Sequence, residues 1–350
     1  MKTPLFSRFI YAIFACCLLG FSLAGCRAVV PASQNNDGRL AVVATTFPGY
    51  DLARAVGGDH IALKMLLPPG AETHSFEPTP QDIITIQNCD VFIYGGGDSD
   101  GWVKGILASM NTDAMTIIKL MDVVEVVKEE LVEGMTDHEH DHVIHEEEHD
   151  HEHHHEEDAD DNHEDEHHHE VAEYDEHVWT SPKNTMLLAQ AVWKTFCDLD
   201  NNDSEKIGAY QDNLARYLAE LEKLDTAFTQ VVAQGQRKTL IFGDRFPFRY
   251  FVDAYGLDYF AAFPGCAADT EPSAETVAFL INKVRAENIP VVFYIELSNQ
   301  RMADTIVEET GAEKLLLHAC HNITKIDFEG GVTYLDLMKQ NLENLKQALA

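Results

Sequence analysis

Near the middle of this chain, apolar residues recur every three or four positions across residues 204–234, at Ile207, Tyr210, Leu214, Tyr217, Leu221, Leu224, Phe228 and Val231. That period belongs to one amphipathic helix with a single buried face. Roughly 30 residues at about 1.5 Å each reach on the order of 45 Å, farther than one small domain needs. Two structures satisfy the pattern: a coiled-coil dimer helix, or an intramolecular strut touching a domain on each side. The strut is preferred, because the seam is short and both flanks carry the pattern of a folded domain.

Those flanks repeat one theme. Short β-branched or aromatic runs alternate with helix-patterned segments, which predicts an α/β fold of two lobes, each with a mainly parallel sheet flanked by helices. The predicted strands cover residues 40–46, 61–67, 91–94 and 115–118 before the strut, and 239–242, 259–263, 291–295 and 315–317 after it. Helices are predicted over 79–88, 183–199, 273–287 and 300–309. The chain has 350 residues, 45% of them hydrophobic, enough for two cores. The expected division is residues 39–203, then the helix 204–234, then 235–350.

Residues 1–25 read as an export signal: Lys2 and Arg8 precede an apolar stretch, and Leu23-Ala24-Gly25-Cys26 closes it. That quartet resembles the bacterial lipobox, which implies a lipid anchor on Cys26, with 26–38 as linker. Of seven cysteines, Cys16 and Cys17 leave with the signal. Cys266 with Cys320 is the preferred disulfide pair because both follow strands of the second half, while Cys89 and Cys197 fit apolar surroundings as free thiols.

The formal net charge is −34, and residues 129–182 contain no Lys or Arg. Such a surface repels nucleic acid and concentrates cations. Within it, residues 137–176 are almost all His, Glu and Asp, with thirteen histidines from His138 to His169. This composition builds no core and predicts a disordered loop that holds divalent ions weakly and at several places. It serves to capture metal, to buffer or sense it, or only to solubilise the chain.

Two other histidines sit in ordered contexts. Gly70-Ala71-Glu72-Thr73-His74-Ser75-Phe76-Glu77-Pro78-Thr79-Pro80 forms a loop at a strand exit, and Asp175-Glu176-His177-Val178-Trp179-Thr180-Ser181-Pro182 leads into a helix. Each offers one imidazole where open α/β folds bind ligands. Either one alone reads more simply as a solvated surface histidine. Together the motifs resemble the zinc- and manganese-type metal-receptor family of ABC-transporter solute-binding proteins, whose hallmarks look like HxxEPTP and DPHVWxxP. The match covers essentially the mature chain, including the His-rich insertion, the long helix and Glu271-Pro272-Ser273 at a helix start. It departs at Glu176, which stands in place of the proline.

The resemblance implies a metal held between two lobes by His74 and His177. It places Arg245 in the slot of the third ligand, where a guanidinium cannot coordinate a cation. Asp244 could substitute if the loop shifts; otherwise Asp244 and Arg245 pair with each other or with Glu77. The fourth slot falls in Leu317-His318-Ala319-Cys320-His321, so His318, His321 or both complete the site. Glu296 stands at the cleft edge as a support for the ligands. Three or four imidazoles with at most one carboxylate suit Zn2+ better than Mn2+. The implied function is non-catalytic: a monomeric extracytoplasmic receptor passing zinc to a permease in the plasma membrane. A secreted zinc hydrolase is the alternative enzyme reading, disfavoured because no HExxH or GxSxG occurs. A surface adhesin retaining a metal site is the third.

Overall fold

The computed structural model describes residues 38–73, 75–135, 174–265 and 273–350. Residues 1–37, which include the expected signal and Cys26, together with His74, all thirteen histidines of the acidic tract, Cys266 and the Glu271-Pro272 pair, lie outside the described residues. Among the described residues, no helix is long and apolar enough to cross a membrane.

Strands β1 (Leu40–Ala44), β2 (Ile61–Met65), β3 (Val91–Tyr94) and β4 (Thr116–Lys119) form a parallel sheet of order β2-β1-β3-β4. Strands β5 (Thr239–Phe246), β6 (Asp258–Pro264), β7 (Val291–Tyr294) and β8 (Glu313–Leu316) form a second, of order β6-β5-β7-β8. The strand runs are apolar almost throughout because both faces of each sheet are covered. Val42, Ala44, Val91 and Ile93 face one large core, while Val43 and Phe92 face a smaller outer one. The second sheet repeats this, with Leu240, Phe242, Val291 and Phe293 inward and Ile241 and Val292 outward. One residue along a strand therefore changes the layer, as the pleat requires.

Ten helices appear among the described residues: α1 (Phe47–Gly57), α2 (Pro80–Gln87), α3 (Gly101–Ser109), α4 (Pro182–Leu199), α5 (Ser204–Gln234), α6 (Arg249–Tyr255), α7 (Ala274–Glu287), α8 (Arg301–Thr310), α9 (Lys325–Glu329) and α10 (Tyr334–Leu349). The long helix α5 packs on α1 and α4 from the first half and on α6 and α10 from the second. Its buried residues are Tyr210, Leu214, Tyr217, Leu221, Leu224, Phe228 and Val232. The stripe is thus consumed within the chain, as a strut requires, and the coiled-coil alternative has no free seam left. The two ends differ from expectation: Ile207, in the first turn, is only half-buried, and Val232 replaces Val231, because 3.6 residues per turn carries the buried face forward over so many turns.

The large core runs through both halves without a break, from Phe47 and Trp179 to Phe242 and Leu345. The chain end reinforces it: the Tyr334 backbone N–H donates to Asp51 Oδ2 at 2.9 Å, and Arg54 donates to the Val332 carbonyl at 2.8 Å. Cys320 is a fully buried free thiol packed in this core, and burial pushes its pKa well up. Its expected partner, Cys266, lies outside the described residues. Cys89 and Cys197 are free, as their apolar settings suggested.

Strand β5 runs on to Phe246, four residues beyond the predicted end. Its register with β6 shifts between Phe242 and Arg245. At this irregularity Gly243 passes so close to α8 that a Cβ there would lie 2.6 Å from Ala303 Cα. Such a bulge re-aims the side chains that follow it, and here the next two are Asp244 and Arg245.

Candidate metal centre

Loops leaving the carboxyl ends of β2 and β8 meet the segment that precedes α4 in one place, at the strand ends where open α/β folds bind their ligands. The loop after β2 is tied to the second half through Asn322, whose amide donates to the carbonyls of Pro68 at 3.0 Å and Ala71 at 2.8 Å. Gly70 N–H adds a bond to the Ile323 carbonyl at 2.8 Å. Glu72 and Thr73, which precede His74, line the resulting cavity together with His177, Arg245, Glu296 and His321.

The second loop holds His177 at 1% exposure. Tyr250 Oη donates to the Asp175 carbonyl at 2.7 Å, fixing this segment to α6. Asp175 Oδ1 accepts the His177 backbone N–H at 2.7 Å and sits 3.1 Å from its Nδ1. A carboxylate on Nδ1 leaves Nε2 to face a ligand, the usual partnership behind a metal-binding histidine. Burial pushes the His177 pKa down, but the carboxylates of Asp175, Glu176 and Glu129 together outweigh it and the net shift is upward. A single turn, Val178–Thr180, follows, and Pro182 then starts α4 in the first-turn position that proline tolerates. Gly265 passes against the imidazole, with a Cβ position 3.3 Å from His177 Cε1, leaving no room for a side chain.

The third loop, after β8, is shaped by Glu296. Its two carboxylate oxygens accept the backbone N–H groups of Ala319 at 2.7 Å and His321 at 2.9 Å. Cys320 between them takes a left-handed φ of 60°, a conformation that a non-glycine residue keeps only when its surroundings enforce it. The result turns His321 toward His177, with ring centroids 5.0 Å apart at 89°. Trp179 backs both rings at 5.5 and 5.0 Å, and its Nε1–H holds the loop through the Ala319 carbonyl at 2.8 Å.

Ligand atoms of Glu176, His177 and His321 all lie within 4.8 Å of one another, and all three residues are buried. His318 is placed differently. Its backbone N–H and carbonyl are bonded to Asn341, and its Nδ1 accepts the Cys320 N–H at 2.9 Å and lies 3.5 Å from Glu296. It stands behind the loop, outside the trio. Asp244 is also occupied elsewhere, accepting the Arg245 N–H at 2.9 Å and the Ile295 N–H at 3.3 Å. Arg245 reaches across the cavity to Glu72, Nη1 to Oε1 3.3 Å, and not to Glu77.

Glu176 and the Ser99 that holds it escaped the sequence reading as contributors. Glu176 is 2% exposed, accepts the Ser99 backbone N–H at 3.0 Å and is bonded to the Ser99 hydroxyl. Gly97 makes space for it, since a Cβ there would overlap Glu176. The signal available was a glycine-rich turn, Gly95 to Gly97, directly after a strand.

Nearby, Asp100 accepts the N–H groups of Gly95 and Gly96 at 2.6 and 3.2 Å. Burial and the Glu176 charge push its pKa up to about 6. Below the ordinary carboxylate value both folded and unfolded chains carry this proton. As pH rises toward 6 the unfolded chain has released it while the folded one still holds it, so stability falls. Above 6 the whole penalty, about 3 kcal/mol at most, is present. Asp100→Asn is expected to stabilise the metal-free chain at pH 7.5 by about 1–2 kcal/mol, some of the gain being lost with the carboxylate's hydrogen bonds. Urea unfolding should show this gain shrinking toward zero near pH 4; a gain independent of pH would count against the charge as its cause.

Residues 42–348 match the family model described as "Zinc-uptake complex component A periplasmic", ZnuA. The chain belongs to this family. It is 29% identical over 332 residues to the zinc-binding lipoprotein AdcA of Streptococcus pneumoniae, covering 94% of this chain and 60% of AdcA. It thus spans about three fifths of the length of that relative. Against the high-affinity zinc uptake system protein ZnuA of Bacillus subtilis it is 29% identical over 337 residues, covering 96% of each. Among solved structures, the Zn(II)-bound ZnuA-like domain of S. pneumoniae AdcA aligns with TM-score 0.66 at 25% identity, over 89% of this chain and 99% of that one. The metal-dependent lipoprotein YcdH of B. subtilis aligns with TM-score 0.69 at 25% identity, over 89% and 100%. These two-lobed ZnuA-like neighbours agree with the fold of paired parallel sheets.

Proposed function

We propose that this chain is a non-catalytic receptor that captures zinc outside the cytoplasm, anchored by lipid on Cys26, and delivers it to an ABC permease in the plasma membrane. The observation that carries this reading is the facing pair His177 and His321, buried between loops of both sheets, in a chain of the zinc-uptake family. Zinc is cargo here. His74, His177 and His321 are its proposed imidazole ligands, and His318 is a positioning residue that braces the loop carrying His321. Imidazole ligands with a carboxylate close by match zinc's preference and fit manganese less well. A cargo ion coordinated fully by protein has no open position at which to activate water, so no hydrolysis is expected. Because the loops come from both halves, opening the lobes separates the ligands. A permease that binds the open form better therefore promotes release.

The acidic histidine tract is assigned a collecting role. In cells lacking the chromosomal copy, the full chain should restore radioactive zinc uptake at limiting zinc. A deletion of residues 137–170 should keep one tight site per chain in a chelator competition while losing the weaker ones. Zinc uptake that proceeds unchanged without the chain would refute the receptor, and loss of the tight site on deleting the tract would move that site out of the cleft.

A further inference from the structure

Glu176 is a carboxylate buried to 2% exposure, and among the described residues no lysine or arginine pairs with it. Its partners are the N–H and O–H of Ser99 and, 3.7 Å from Oε1, the Nε2 of His321. Burying a carboxylate without a full counter-charge is costly. The surroundings add to the cost, for Asp175 and Asp100 are also buried close by and Glu296 lies under the same loop. The distance from Glu176 to His321 is long for a hydrogen bond. It is near the edge of a tetrahedron of ligands about 2.1 Å from a zinc ion, roughly 3.4 Å. Two features keep this carboxylate in place: the side-chain-free Gly97 beneath it and the two Ser99 donors on its rim.

A divalent cation supplies the missing counter-charge. We propose that Glu176 is itself a zinc ligand, joining the imidazoles of His177 and His321, so that a carboxylate from within the Glu176-His177 pair helps to close the site. The assignment rests on the receptor reading above. It explains how the site reaches four ligands although Arg245, which lines the same cavity and pairs with Glu72, cannot donate to a metal. Arg245 and Glu72 then form a latch between the halves beside the ion.

The test compares the parent chain, Glu176→Gln, Glu176→Asp and His177→Ala, each titrated with zinc alone against a chromophoric chelator and then loaded with Co2+ for its visible ligand-field spectrum. Glu176→Gln preserves shape and one of the two bonds from Ser99 while removing the charge. It should weaken zinc by about 100-fold or more, at or beyond the upper end of what an outer partner of a ligand contributes. Its Co2+ bands should change in position and intensity. Its metal-free melting temperature should equal or exceed the parent's, because a buried charge has been removed. Glu176→Asp keeps the charge but withdraws the oxygen, and should fall between the two in affinity. If Glu176→Gln binds zinc within threefold of the parent, or loses affinity with an unchanged Co2+ spectrum, Glu176 is not a ligand. Should Glu176→Gln fail to fold, the aspartate variant decides: parent-like affinity and spectrum would overturn the assignment. Retention of tight zinc by His177→Ala would instead sink the receptor reading itself, which separates the two failures.

Discussion

Replacing His177 with alanine should weaken the tight zinc site by about 10²–10³-fold while leaving the fold intact. Structural zinc sites gather about 10–16 kcal/mol of apparent binding free energy from four ligands, so one ligand accounts for roughly 3–4 kcal/mol. His177 is also held by supports on every side. Asp175 holds its ring, Trp179 backs it, Gly265 makes room beside it, and Tyr250 fixes its loop from the other half. The folded state should suffer less. Asp175 keeps the His177 backbone N–H as a donor, so the metal-free variant should lose only about 1–2 kcal/mol. The check is a chelator competition alongside a metal-free urea melt. Zinc affinity within a few-fold of the parent would show that His177 does not hold the ion, and a metal-free loss well beyond about 2 kcal/mol would show that it braces the fold.

The second large effect concerns the strut. Phe228 is fully buried on α5, with its ring 5.0 Å from Phe251 and 5.4 Å from Tyr255 of α6. Phe228→Ala removes this link between the long helix and the second half and opens a cavity there. A destabilisation of about 3–5 kcal/mol is expected, the range for a large aromatic deleted from a core. On the exposed face of the same helix, Glu222→Ala should change stability by no more than about 0.5 kcal/mol. Urea unfolding of both variants provides the comparison. Equal effects would mean that α5 does not carry its lobes through the buried stripe.

How much of this was legible in the sequence follows from which forces act locally. The strands were readable because both sheets bury both faces, and a short unbroken apolar run such as 91–94 suits a strand covered on both sides. The long helix was readable because its stripe persists over many turns. Helix α1 was missed because Phe47-Pro48-Gly49 reads as a turn. In the fold Pro48 occupies the first helical turn, and Gly49 lets the helix approach Ile93, whose Cγ2 would lie 3.0 Å from an added Cβ. Helix α10 announces itself through the reciprocal Thr333 and Asp336 cap, a local signal that periodicity alone does not capture. The end of β5 was hidden by its bulge, where Gly243 and Asp244 interrupt the apolar run.

The site divides in the same way. His177 stands out through its own motif before a helix, whereas His321 was singled out only by the resemblance to the metal-receptor family; the fold brings the two rings together. The orientation of His318 was not, since it depends on Asn341 from a distant helix and on the left-handed turn at Cys320. Nor was the choice of Glu72 over Glu77 as the partner of Arg245, which is set by how the bulge in β5 aims the guanidinium. Glu176 looked like a mere departure from a family pattern. Only the position of Ser99, 77 residues earlier in the chain, shows that its carboxylate is turned inward.

The central claim is that imidazoles from distant parts of the chain converge on one zinc ion between the two lobes. A zinc-edge anomalous difference map from crystals of the zinc-loaded chain tests it most directly. The account predicts one dominant peak about 2.0–2.1 Å from the Nε2 atoms of both His177 and His321. A dominant peak elsewhere, with those two rings bare, would contradict it.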